Sequence, residues 1–248
     1  GLMIWLHGGG SWSATDIDHL AQYDMDNELV TGRSYARTET DNSNYILVAP
    51  IAPFGSVIPH PQHASRWDVP YADQYLIDII TEIAAKYNID YNRVVIAGFS
   101  MGGIGAYHQA LRLNDRLSAV MASAGSWSLG TWDGLKNMPM YLIHGVTDAY
   151  HNSSGCRPHN TAIEYARLAH QALYKASTIH KLYEYPAGHA WDASGELYWK
   201  NFISGQQGWV TDKVRNPYRS NVTAVNPWRS YDTGNNFGVT WTEKPSPH

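Results

Sequence analysis

The chain has 248 residues, a formal net charge of −4, 44% hydrophobic and 16% charged residues. That balance suits one substantial globular core and excludes a disordered chain; with no basic run it also argues against nucleic acid as a partner. No apolar run approaches the roughly 20 residues that a membrane-spanning helix needs, and the single cysteine, Cys156, excludes an internal disulfide.

Taken in chain order, the first element is a strand, Leu2-Met-Ile-Trp-Leu, running into His7-Gly-Gly-Gly. Glycines at that place let backbone N–H groups come close to a substrate oxygen. A loop from Ser11 to Asn44 follows, then the strand Tyr45-Ile-Leu-Val-Ala-Pro. The next loop, Ile51 to Tyr71, contains His60-Pro-Gln-His and Arg66-Trp-Asp; Arg66 is placed to pair with Asp68 and shape the loop, or else to reach a substrate carboxylate. His60 and His63 lack a third ligand and so fall short of a metal site. From Asp73 to Tyr87 the residues Tyr75, Leu76, Ile79, Ile80 and Ile83 share one side, which predicts an amphipathic helix.

Residues 98–102 read Gly-Phe-Ser-Met-Gly. The β-branched run Arg93-Val-Val-Ile-Ala before them predicts a buried strand, and the ten residues Gly103 to Arg112 after them predict a helix. A G-x-S-x-G between strand and helix is a nucleophile elbow, which exposes the Ser100 hydroxyl at the top of a sheet beside the amides of a helix start. Leu117 to Ala124 is a further strand. Met140-Tyr-Leu-Ile-His-Gly-Val-Thr is another, ending in a turn that delivers Asp148. The loop beyond it holds His151, Cys156 and His159 and reads as solvated. Thr161 to Ala176 predicts a helix with Ile163, Ala166, Leu168, Ala172 and Leu173 as its apolar set. The strand Ile179 to Tyr185 leads into Pro-Ala-Gly-His189-Ala-Trp, and Ala193 to Ile203 predicts a last helix. Alternation of this kind means a mostly parallel sheet covered by helices on both faces.

A serine hydroxyl needs a base, an orienting acid and an oxyanion hole. The chain offers each after a strand: Ser100 as nucleophile, Asp148 as acid, His189 as base, and the amides of Gly9, Gly10 and Met101 as the hole. Each piece has a bland reading alone, a turn-forming aspartate or one histidine among twelve. Together and in this order they do not. The chain also has 10 Trp and 17 Tyr against 4 Phe, and Trp12, Trp127 and Trp191 follow motifs or strand ends on the same side, which makes them candidates for a substrate pocket.

These residues resemble the α/β-hydrolase superfamily. The stretch Tyr87-Asn-Ile-Asp-Tyr-Asn-Arg-Val-Val-Ile-Ala-Gly-Phe-Ser-Met-Gly-Gly is similar to its esterase branch of feruloyl, acetyl-xylan and polyhydroxybutyrate-depolymerase-like proteins, as are His144-Gly-Val-Thr-Asp and Glu184-Tyr-Pro-Ala-Gly-His. The resemblance covers about residues 2–204. It implies a serine carboxylic-ester hydrolase, without cofactor, acting on a small-molecule or polysaccharide-linked ester. It also implies that strands normally preceding the first one here belong to a further segment of the same polypeptide; after residue 204 the composition changes to an aromatic, Asn- and Pro-rich stretch, 205–248. That stretch reads as a C-terminal extension or the start of a β-rich module, with short strands at Asn221-Val-Thr-Ala-Val and Phe237-Gly-Val-Thr-Trp-Thr. Two rivals stand beside the esterase: a prolyl-oligopeptidase-like serine peptidase, and a non-catalytic hydrolase-fold module of a larger surface assembly. The aromatic content and near-absence of cysteine fit a secreted or cell-envelope location.

Overall fold

The computed structural model describes residues 1–8, 45–53, 67–68, 70–127, 135, 139–149, 159–176 and 180–190, leaving aside the side chains of Pro70, Asn92, Trp127, His159 and Asn160. The predicted helix 193–203 and the stretch 205–248 lie outside these residues.

Among the described residues six strands build the sheet: β1 (Leu2–Leu6), β2 (Ile46–Val48), β3 (Val94–Phe99), β4 (Ala119–Ser123), β6 (Met140–Gly145) and β8 (His180–Tyr185). Their order is β2-β1-β3-β4-β6-β8, and every pairing is parallel. Parallel strands need both faces covered, so they are written as continuous apolar runs rather than alternating ones. Accordingly β1, β4 and β6 are buried at every position. Their residues divide by the two-residue period of a strand. Leu2, Ile4, Leu6, Ile96, Val120, Ala122 and Leu142 face one core, and Met3, Trp5, Val95, Ala97, Met121, Tyr141 and Ile143 face the other.

Three helices connect the strands: α1 (Pro70–Lys86), α2 (Met101–Arg112) and α3 (Ile163–Lys175). Among the described residues all three pack on the first core, through Leu76, Ile77 and Ile80, through Ala106, Tyr107 and Ala110, and through Ala169 and Leu173. The second core is equally buried. α1 starts three residues before the Asp73 expected from periodicity. Pro70 opens it, a residue whose fixed φ suits the first helical position. In α3 the apolar set differs from expectation in one place: Leu168 is 53% exposed and Ala169 is buried. Ile163, Ala166 and Leu173 recur at helical spacing, and Leu168 falls on the opposite side of that stripe. A two-residue antiparallel pair, β5 (Ser126–Trp127) with β7 (His159–Asn160), flanks the C-terminal end of the sheet.

One buried polar cluster holds α1 to α2. Asp73 is buried in the first turn of α1. Its Oδ2 accepts from Arg112 Nε and its Oδ1 from Gln109 Nε2 at 3.0 Å. The same Gln109 amide donates to the Trp67 carbonyl at 3.0 Å, so two acceptors fix which end of the amide faces them. Arg112 and Asp73 side chains are each 3% exposed. Removing one partner strands the other charge away from water. Asp73→Ala is expected to cost about 3–5 kcal/mol of stability, read as a lower urea midpoint at unchanged slope. A loss under about 1 kcal/mol would show that the cluster does not hold the two helices.

Candidate active site

The elbow is one of two places among the described residues where a non-glycine residue takes positive φ. β3 ends at Phe99, and Ser100 adopts φ 56° and ψ −116° before α2 begins at Met101. A non-glycine residue at positive φ costs about 1–3 kcal/mol and persists only where its surroundings dictate it. Here they do. Ser100 N–H donates to the Ser123 carbonyl on β4 at 2.8 Å, and Ser100 O accepts from Ile104 N–H at 2.9 Å. Gly102 lies so close to β1 that an added Cβ would stand 1.9 Å from the Leu6 carbonyl oxygen. The first turn of α2 is thereby seated on the end of β1, where the His7-Gly8 segment leaves the sheet.

The Ser100 side chain makes no capping bond to α2. Its Oγ is 2.8 Å from His189 Nε2, and His189 Nδ1 is 2.8 Å from Asp148 Oδ2. A carboxylate only accepts, so Nδ1 carries the hydrogen and Nε2 turns its lone pair to the serine hydroxyl; the network assigns this tautomer. The Asp148 side chain is fully buried and that of His189 is 24% exposed, so the outer end of the chain of bonds is open and its inner end is dry.

Backbone bonds carry this alignment. Beyond the last β6–β8 pair, Val146 N–H donates to Tyr185 O at 2.9 Å and Thr147 N–H to Ala187 O at 3.0 Å. Asp148 N–H closes a turn on Gly145 O at 3.1 Å. Gly145 permits the approach: a Cβ there would lie 2.3 Å from the Gly188 carbonyl oxygen. Tyr185 OH donates to the Ala190 carbonyl, and the Phe99 ring sits 5.4 Å from the His189 ring.

The His7 side of the site is also fixed. His7 Nδ1–H donates to Gly8 O at 2.7 Å, Nε2 accepts from Ala52 N–H at 3.0 Å, and the indole N–H of Trp67 donates to the His7 carbonyl at 3.1 Å. Met101 lies in the first turn of α2, where amides lack partners within the helix. Of the other residues singled out by sequence, Gly9, Gly10, Trp12, Trp191, His60, His63, Arg66, His151 and Cys156 lie outside the described residues. Trp127 is described only by its backbone, in β5 opposite His159. The structure adds Trp67 and His144, which sequence reasoning passed over. His144 Nε2 is 3.3 Å from Asp148 Oδ2. Both were written inside the quoted motifs, and their partners are set by folding.

A sequence model of phospholipases and carboxylesterases matches residues 55–190. The chain belongs to the phospholipase/carboxylesterase family. A bifunctional acetylxylan esterase/xylanase from Neocallimastix patriciarum is 27% identical over 127 residues. Those residues are 50% of this chain and 18% of that protein. Among solved structures, Arabidopsis thaliana SOBER1 superposes with a TM-score of 0.55 at 20% identity, covering 82% of this chain and 97% of that one. A ferulic acid esterase gives a TM-score of 0.57 at 17% identity, covering 83% and 84%. A thermostable esterase gives 0.55 at 20% identity, covering 81% of this chain and 52% of the other. The shared architecture is the α/β-hydrolase fold.

The Gly102 contact gives a direct test of the elbow. Because the obstacle is backbone, Gly102→Ala cannot be relieved by a rotamer change. The substitution is expected to lower Tm by about 10 °C or more, or to abolish cooperative unfolding. A Tm within about 2 °C of the parent would mean that β1 and α2 are not in this contact.

Proposed function

We propose that this chain is a serine carboxylic-ester hydrolase working through an acyl-enzyme on Ser100. The observation that carries the reading is the pair of 2.8 Å contacts joining Ser100, His189 and Asp148. His189 Nε2 takes the Ser100 proton as Oγ attacks the ester carbonyl. The tetrahedral oxyanion is received by the Met101 amide with those of Gly9 and Gly10, groups that act by being oriented before charge develops. Asp148 holds the imidazole tautomer and stabilises the imidazolium. The imidazolium gives its proton to the departing alkoxide, leaving acyl-Ser100. A water then loses a proton to Nε2, attacks the acyl carbon and releases the acid and free serine. Trp12, Trp127 and Trp191 are proposed to line the pocket. The likeness to an acetylxylan esterase over half the chain favours esters on polysaccharide as the first class to try.

The reading is tested by labelling with a fluorophosphonate, which needs no knowledge of the substrate, and locating the modified residue by mass spectrometry. Stoichiometric labelling at Ser100 is expected, abolished in Ser100→Ala and reduced about a thousandfold or more in rate in His189→Ala. Ester turnover should follow the same pattern. On acidification kcat/KM should fall, because the protonated imidazole has no lone pair for the serine proton. A folded chain that takes no label, or a pH-independent rate from 5 to 8, would overturn the reading. Labelling accompanied by cleavage of peptide amides but not esters would replace it with a serine peptidase.

A further inference from the structure

Trp67 takes no part in the steps above, yet it packs against the two elements from which the proposed oxyanion donors come. It is fully buried. Its carbonyl accepts one hydrogen of the Gln109 amide at 3.0 Å, and the other hydrogen of that amide goes to Asp73 Oδ1 at 3.0 Å. One turn earlier in α2, a Cβ added at Gly105 would stand 2.2 Å from the Trp67 Cβ. The backbone of Trp67 is thereby fastened to the helix that begins at Met101.

The indole reaches the other way. Its single N–H donates to the His7 carbonyl at 3.1 Å, and the indole meets the His7 imidazole edge to face, with centroids 5.2 Å apart and planes at 68°. That carbonyl stands at the exit of β1 and also lies against the elbow: a Cβ at Gly102 would be 2.8 Å from its oxygen. The next carbonyl is held as well. Gly8 O accepts from His7 Nδ1–H at 2.7 Å, while His7 Nε2 takes the Ala52 N–H at 3.0 Å. A trans peptide is rigid and planar, so holding its carbonyl also sets the direction of its N–H. Two successive peptide units leaving β1 are fixed in this way, the first of them by Trp67.

We propose that Trp67 is a positioning residue for the oxyanion hole: fastened to α2 by its backbone and to the His7 carbonyl by its indole N–H, it sets the Met101 amide against the chain leaving β1. The inference rests on the serine-hydrolase reading and deepens it. The two sides of the hole come from elements far apart in sequence, so their spacing depends on whatever ties one to the other. Donors act by being in place before charge develops, and a misplacement on the order of 1 Å can cost about a hundredfold in rate. A buried tryptophan suits the task, because its ring is rigid and wide and its one N–H seeks a partner when removed from water. Phenylalanine would fill much of the same space and lose the bond.

The test compares hydrolysis of p-nitrophenyl acetate and p-nitrophenyl thionoacetate by the full chain, as the parent and as Trp67→Phe. Sulfur is a weak hydrogen-bond acceptor, so the thionoester draws little on the hole and reports on the rest of the machinery. Trp67→Phe is expected to lower kcat/KM for the oxygen ester about tenfold or more, and for the thionoester less than about threefold. The pH midpoint of kcat/KM should stay at its parent value, because the imidazole and its carboxylate are untouched. Equal losses on both esters would reduce Trp67 to packing and overturn the proposal, as would a harmless substitution or a shifted midpoint. Should Trp67→Phe fail to fold, 3-benzothienylalanine at position 67 decides, since it exchanges only the N–H for sulfur within the same outline. The same selective loss on the oxygen ester is expected there, and parent-like rates on both esters overturn the proposal. A parent chain that neither labels at Ser100 nor turns over esters fails at the earlier reading; one that does both, with no selective loss in the variants, fails here.

Discussion

The backbone contact between Gly102 and Leu6 is the constraint from which the rest of the site follows. With only 1.9 Å between a notional Cβ and the Leu6 oxygen, α2 can begin where it does only if its first turn presents hydrogen to β1. Ser100 sits at positive φ immediately before that turn, and the contact places the exit of β1 beside the start of α2. The strain of about 1–3 kcal/mol is small against burial of the surrounding strands, where each fully buried Leu, Ile or Met contributes about 1.5–3 kcal/mol. The sheet therefore supports a local conformation that the dipeptide would not adopt alone.

Three strand ends supply the three side chains, two from the adjacent β6 and β8 and one from β3. Ser100 ends β3, while Asp148 and His189 follow β6 and β8, with β4 between. Neighbouring strands lie about 4.8 Å apart, so the elbow and the histidine turn stand roughly 14 Å apart along the sheet. The gap is closed by loops. The His189 turn is drawn to the Asp148 turn by the bonds from Val146 and Thr147 to Tyr185 and Ala187, which prolong the β6–β8 pairing past the strands, and Ser100 is pinned to β4 through Ser123. The parallel ladder thus fixes the relative heights of the three residues, and the loops only have to lean inward.

What the sequence made legible was local. β1 matched its expected limits at Leu2–Leu6, because five apolar residues before a glycine run are a strand by length and content alone. The elbow was legible for the same reason: its glycines, serine and flanking periodicities are contiguous. Asp73 was not. An aspartate in a first turn reads as a solvated partner for the helix dipole, and its buried partners Gln109 and Arg112 stand 36 and 39 residues away. Trp67 was read as one residue of a loop; its grip on His7 spans 60 residues. The exposed Leu168 shows the other limit, where a leucine was counted for its hydrophobicity and not for its angle around α3. The β5–β7 pair, two residues on each side, is too short for any pattern to announce it.

Burial explains why the aspartate and the histidine carry different loads. The Asp148 side chain is removed from water completely, and an isolated carboxylate there would be costly. The His189 Nδ1–H at 2.8 Å offsets part of that cost while leaving the carboxylate charged. The His189 side chain, at 24% exposure, is open to solvent, as the proposed exchange of protons with water and the leaving group requires. A chain of bonds whose inner end is dry and whose outer end is open lets the field of the buried carboxylate act with little screening on the nitrogen proposed to exchange protons.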